Sequence, residues 1–123
     1  MATPKFGTAL ADALTGTSAA EAINAGNGAD TITNFFGADT IDGGAGVDTL
    51  VLNGTALDLN NASDAQLINV EAIAVVDATA GVSINLSQQT EGFALTGSGF
   101  ADTLTGGAGA DNIIAGVVSP YVV

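Results

Sequence analysis

The chain has no cysteine, no histidine and no tryptophan, and Lys5 is its one cationic side chain among 123 residues. Without thiols there is neither a disulfide framework nor a thiolate metal site. The lack of imidazole removes zinc and iron–sulfur chemistry as well. Thirteen acids against one cation give a net charge of −12. That balance excludes nucleic acid and anionic membrane as partners, since both require a basic face. It points instead to bound cations. No stretch approaches a membrane span, and the start, MATPKFGTAL, has no continuous apolar run of the kind a secretory signal peptide needs.

Catalytic constellations are missing too. With no His, Cys or Arg, no serine has a general-base partner. The turns GNGAD and GSGFAD neither open a helix nor bring a lysine to a phosphate, and EF-hand spacing is absent. Acids close enough for glycoside hydrolysis are already accounted for by the repeat described next. The expectation is a protein that is not an enzyme.

What the chain has is a period. From Gly7, it divides into thirteen nine-residue units ending at Val123. The eighth place reads Leu14, Ile23, Ile32, Ile41, Leu50, Leu59, Ile68, Asp77, Leu86, Leu95, Leu104, Ile113 and Val122, aliphatic at every unit but Asp77. The sixth place holds Asp12, Glu21, Asp30, Asp39, Asp48, Asp102 and Asp111, seven of the thirteen acids. Random placement would put about one or two there, so the period decides the fold class. The expected architecture is all-β, a right-handed parallel β-roll or β-solenoid of about thirteen units. Strands of adjacent coils about 4.8 Å apart would make a rod roughly 30 Å long with two open ends.

Within that frame, residues 1–6 read as an N-terminal extension and 7–123 as a single roll. Units 7–51 and 97–114 carry the sharp motif, residues 52–96 keep the aliphatic place but lose the glycine-rich turn, and 115–123 read as a cap or assembly strand. In the middle, Val82-x-Ile84-x-Leu86 and Phe93-x-Leu95 alternate as half-buried strands do. Leu67–Val76 reads as a longer strand, with a short buried helix as the alternative. Asp77–Gly81 reads as a surface turn.

Gly43–Val51 (GGAGVDTLV) and Gly106–Ile114 (GGAGADNII) match GGxGxDxUx at every defined place. Ala25–Thr33 (AGNGADTIT) misses only the first glycine. These units resemble the RTX (repeats-in-toxin) nonapeptide family, in the style of surface-layer and extracellular structural members. The resemblance implies a parallel β-roll with one turn and one short strand per unit, two units per coil. It also implies several bound Ca2+ ions as the cofactor. The residues carried over as metal site are Asp12, Glu21, Gly26, Asn27, Gly28, Asp30, Gly37, Asp39, Gly43, Gly44, Ala45, Gly46, Asp48, Gly97, Gly99, Asp102, Gly106, Gly107, Gly109 and Asp111.

The residue types suit that chemistry. Calcium takes six to eight oxygens from carboxylates and carbonyls, and glycines let a turn adopt positive φ and aim its carbonyls inward. Units eighteen residues apart stack on one edge, which would pair Asp12 with Asp30, Asp30 with Asp48, and Glu21 with Asp39. Carboxylates about 5 Å apart repel by up to ~3 kcal/mol at an effective dielectric of about 20. Three such pairs rival the roughly 5–15 kcal/mol that holds a domain together. The metal-free chain is therefore expected to be largely unfolded, with binding and folding as one event.

Site quality should differ between units. The stack of 25–30 on 43–48 should be strongest. GTALAD lacks most glycines, GTSAAE carries Glu for Asp, and NFFGAD places Phe35 and Phe36 outside as an aromatic contact. Asp102 and Asp111 face Ile84 and Phe93 eighteen residues back, neither able to ligate through its side chain. A second copy stacked head to tail would bring its Asp12 eighteen places beyond Asp111. The expected role is a secreted structural protein that folds on calcium and self-assembles into an extracellular filament or surface layer, exported without a leader. The alternative is a calcium-triggered folding and secretion module of a larger toxin, hydrolase or adhesin. An ice-binding ladder of Thr31, Thr40, Thr49 and Thr103 ranks last, because Asp58, Leu67 and Val76 interrupt it.

Overall fold

The computed structural model describes residues 2–55, 57–76 and 78–115. Twelve short strands follow one another: β1 (Thr3–Phe6), β2 (Ala13–Thr15), β3 (Glu21–Asn24), β4 (Thr31–Thr33), β5 (Thr40–Asp42), β6 (Thr49–Leu52), β7 (Leu67–Ile68), β8 (Ala72–Val75), β9 (Ser83–Asn85), β10 (Ala94–Thr96), β11 (Thr103–Thr105) and β12 (Asn112–Ile114). All pairings are parallel. The even strands form one six-stranded sheet, β2-β4-β6-β8-β10-β12, and the odd strands form β1-β3-β5-β7 and β9-β11. The chain thus winds as a β-solenoid of about six turns, alternating sheets at each strand.

The alternation of each strand fills the centre. Along the even sheet Leu14, Ile32, Leu50, Ile73, Leu95 and Ile113 lie in one register column. The four in the middle are fully buried. Ile23, Ile41 and Leu67 form the facing column of the odd sheet. Burying each such side chain contributes roughly 1.5–3 kcal/mol, which strands of two to four residues need, being unable to persist alone.

The outward positions of the even sheet form two columns. One runs Ala13, Thr31, Thr49, Ala72, Ala94, Asn112, the other Thr15, Thr33, Val51, Ala74, Thr96, Ile114. Neither column carries a charge. The residues expected to interrupt a threonine ladder lie elsewhere: Asp58 is helical, Leu67 is core, and Val76 follows β8. Thr40 and Thr103 belong to the odd strands, so no single threonine ladder forms.

The nine-residue count does not run unbroken through the middle. Core partners are eighteen residues apart from Leu14 to Leu50 and again from Leu95 to Ile113. Between them, Ile41 pairs with Leu67 and Leu50 with Ile73, steps of twenty-six and twenty-three. The extra residues form a one-turn helix, α1 (Leu57–Asn60), and a 3-10 turn at Asp64–Gln66. Leu59 still fills its core place, but from α1. Ile73 to Leu95 is a step of twenty-two. From Leu50 to Leu95 is therefore forty-five residues, five whole units, and the phase returns.

Three further expectations change. Thr3–Phe6 is no extension: it is the first strand of the solenoid, paired with β3. Lys5 occupies the core column there, opposite Ile23, and its Nζ donates to the Thr15 carbonyl. Leu67–Val76 is neither one strand nor a helix but two strands in different sheets. Asn69, with φ of 53°, stands at the corner between them. Phe35 is buried, and only Phe36 of the aromatic pair faces outward. Of the expected turn at Asp77–Gly81, Asp77 lies outside the described residues, as does most of the cap at 115–123.

Candidate metal centre

The turns at 25–30 and 43–48 stack directly on one another. Asn27 bridges Ala45, the Ala45 N–H donates to the Gly26 carbonyl and the Gly28 N–H to the Ala45 carbonyl, both at 2.9 Å. Such a close approach excludes side chains. A Cβ on Gly44 would lie 1.9 Å from the Gly26 oxygen, and one on Gly46 would lie 2.0 Å from the Gly28 oxygen. Both residues also have left-handed φ, 90° and 126°, which favours glycine on its own.

This stacking sets Asp30 and Asp48 one above the other, 1% and 0% exposed. The backbone N–H of each acid donates to the carboxylate of the next coil: Asp12 to Asp30 Oδ1 at 2.7 Å, Asp30 to Asp48 Oδ1 at 2.8 Å, Asp48 to Glu71 Oε2 at 2.8 Å. On the opposite edge the Glu21 N–H donates to Asp39 Oδ1 at 2.8 Å. The acids thus form two ladders, with Glu71 continuing the first. Glu71 was not among the expected ligands, yet Glu71-Ala72-Ile73 repeats the acid-x-aliphatic pattern of Asp48-Thr49-Leu50. Its signal was present, five residues out of phase.

The outer oxygens separate the acids into two kinds. Oδ2 of Asp30 and Oδ2 of Asp48 are buried without any hydrogen-bond partner. Burial, with Asp30, Glu71 and Asp42 as like-charged neighbours, pushes the Asp48 carboxyl above its ordinary value despite the Asp30 N–H. A buried, uncompensated carboxylate is costly. These residues fit a bound cation, and the chain's own ammonium, on Lys5, is engaged at Thr15. The donors are all oxygen, which selects a hard ion. No three acids converge among the described residues. An ion at Asp30 and Asp48 would therefore complete its six to eight oxygens largely from carbonyls of the two turns. That suits the flexible shell of calcium better than the strict octahedron of magnesium.

Glu91 Oε2, away from the sixth-place ladders, is likewise buried without a partner, whereas four sixth-place acids are closed by the protein itself. Asp12 accepts the Thr8 N–H and hydroxyl, Glu21 those of Thr17, and Asp102 those of Ser98. The Thr17 hydroxyl and N–H hold the Glu21 carboxyl below its usual range. Burial alone would raise Asp102, but the Ser98 hydroxyl and the Val82 and Ser98 N–H groups outweigh it and hold the carboxyl low. Asp39 accepts the Phe36 N–H on Oδ2 at 2.8 Å. Gly37 lies apart, its N–H bonded to Asp58 Oδ2 at 2.6 Å.

The C-terminal units differ from their motif twins. Thr103 pairs with Ser83, so Asp102 faces Val82 rather than Ile84 and accepts its N–H at 2.9 Å. Asp111 accepts the Phe93 N–H at 2.9 Å. Gly97 and Gly99 flank Ser98 in the closed turn. Gly106, Gly107 and Gly109 are not among the positive-φ glycines, whereas Gly26, Gly28, Gly44 and Gly46 are. Their turn packs on Gln89–Gly92, where the Gln89 carbonyl accepts the Ala108 N–H at 3.0 Å and glycines do not alternate. A separate cleft of about 420 Å³, lined by residues including Asn34, Phe36, Leu57 and Asp58, contains none of the sixth-place acids.

No curated protein and no solved structure matches the chain. A family model does match, the RTX calcium-binding nonapeptide repeat, over residues 15–50, 36–54 and 94–117, together more than half of the chain. The gap between those matches coincides with the lengthened coils, and the first match spans both orphaned carboxylates. Parallel solenoid, glycine turns stacked N–H to carbonyl, and buried acids in need of a cation agree with it: the chain belongs to the RTX calcium-binding nonapeptide repeat family.

Proposed function

We propose that the chain is a secreted, non-catalytic structural protein that folds on calcium and assembles with its own copies into an extracellular filament or surface layer. The observation that carries calcium-dependent folding is the pair of buried, partnerless Oδ2 atoms on Asp30 and Asp48. RTX repeats are typical of secreted bacterial proteins, and the outside of a cell supplies calcium freely. Assembly is supported at one end of the solenoid. Among the described residues nothing pairs with the outer edge of β12, and Ile113 and Ile114 are 42% and 52% exposed there.

The other end favours a second reading. An inward-pointing charge on an edge strand opposes strand addition, and Lys5 is such a charge on β1. This suits a calcium-triggered folding and secretion module of a larger RTX toxin, hydrolase or adhesin. Electron microscopy and sedimentation with millimolar calcium and with chelator separate the two. Filaments or sheets only in calcium support the first, and compact calcium-folded monomers support the second. Identical folded particles in both conditions overturn calcium-dependent folding itself.

A further inference from the structure

We infer that in the turns at 7–12, 16–21, 25–30, 43–48 and 97–102 the second place decides whether the turn takes calcium, and that Thr8, Thr17 and Ser98 are built-in replacements for the ion. This rests on the calcium-binding reading and adds to it which acids are left out. In each of these turns the hydroxyl accepts the N–H of the fourth place, Leu10 at 3.1 Å, Ala19 at 3.2 Å and Phe100 at 3.1 Å. With its acceptor role filled, the O–H is aimed at the sixth-place carboxylate, at 3.0 Å from Asp12 Oδ2 and 2.5 Å from Asp102 Oδ1, with the Thr17 hydroxyl likewise on Glu21. The second-place N–H donates to the same carboxylate at 2.5 Å, 2.8 Å and 2.7 Å.

Two donors from one residue thus close each carboxylate. A charge-assisted pair of this kind offsets burial without an ion. Where the second place is Gly26 or Gly44, the hydroxyl is missing and the outer oxygen of Asp30 or Asp48 has no donor. Calcium must displace nothing there. In a closed turn it would have to break two hydrogen bonds and leave a hydroxyl and an N–H unpaired. Composition at one place therefore sorts these five acids into ion-demanding and self-sufficient turns.

Equilibrium dialysis against millimolar calcium, with circular dichroism on the same samples to verify folding, tests this on five proteins. These are the wild type, Asp30→Asn, Asp48→Asn, Glu21→Gln and Asp102→Asn. The expected result is loss of at least one bound ion per chain in the first two variants and the wild-type count in the last two. If Glu21→Gln or Asp102→Asn, while folded, also loses an ion, the sorting by the second place is wrong although the protein binds calcium. If the wild type takes up none, the calcium reading fails along with it.

Discussion

The side-chain amide of Asn60 pairs with the backbone of Asn85 as a neighbouring strand would, its Oδ1 accepting the Asn85 N–H at 2.7 Å. Its Nδ2 donates to the Ser83 carbonyl at 3.0 Å, and Thr55 Oγ1 accepts the Ser83 N–H at 2.9 Å. The edge of β9 that has no strand partner among the described residues is thus closed by the α1 coil. Asn60→Asp keeps the acceptor but sets an anionic oxygen against the Ser83 carbonyl. A loss of about 1–3 kcal/mol is expected from a broken and repelled hydrogen bond, read as a lower denaturation midpoint in calcium. An unchanged midpoint would show that α1 does not hold this edge.

The raised Asp48 carboxyl makes the metal-free protein respond to acid in an unusual direction. For a carboxyl raised in the fold, the favourable contribution is complete below its unfolded value and is lost as pH rises through the folded one. Glu91, raised by burial and by Asp64, behaves the same way. Glu21 and Asp102 are lowered, as is Asp64 by the Thr90 N–H and hydroxyl, and these lose their contribution as pH falls below the ordinary carboxylate range. In chelator, stability should therefore peak near pH ~4, the ordinary carboxylate value. Calcium should flatten the neutral side of that peak. Denaturation curves across pH check it, and a monotonic rise toward neutrality in chelator would contradict it.

Asp48→Asn isolates the same group. Removing the charge while keeping a carbonyl oxygen for the Asp30 N–H should stabilise the chelated protein and weaken its response to calcium. The measurement is the shift of melting temperature on adding calcium, expected to shrink relative to wild type. A full wild-type shift would mean that the ion sits elsewhere.

Two glycine substitutions should diverge. Gly44→Ala places a methyl 1.9 Å from the Gly26 oxygen at φ of 90°, so strain of roughly 1–3 kcal/mol is compounded by a backbone clash. Nothing lies within 4 Å of a Cβ on Gly54, whose φ is outside the left-handed range, and Gly54→Ala should be neutral or gain up to about 1 kcal/mol. Chemical denaturation in calcium ranks them. Equal losses would mean that the turns are not stacked this closely.

Ser98→Ala removes the hydroxyl from a buried turn and leaves Asp102 with N–H donors alone. A deficit of about 1–2 kcal/mol is expected in chelator. It should be smaller in calcium, because the freed carboxylate gains a use for the ion. Equal deficits in the two conditions would assign Ser98 a packing role only.

Much of this was legible where spacing is strict. From Leu14 to Leu50 the eighth place is the core and the sixth-place acids form the ladder, because an eighteen-residue coil leaves no freedom of register. The middle was not legible for a physical reason. Insertions that total a whole number of units leave the phase on both sides intact, so Ile68 appeared to be core although Leu67 is. Lys5 hid the first strand, since a cation in the core column is not an aliphatic mark. The division of the acids was written in the sequence at Thr8, Thr17 and Ser98, but only the hydroxyl geometry reveals what that place does.

Lys5 gives the winding a direction. An ammonium at the start of the odd-strand column must be stripped of water before another apolar layer can cover it, whereas among the described residues the even-strand column ends on an isoleucine, Ile113, with no charge to desolvate. Covering β1 with an apolar layer therefore carries a desolvation cost that covering β12 does not.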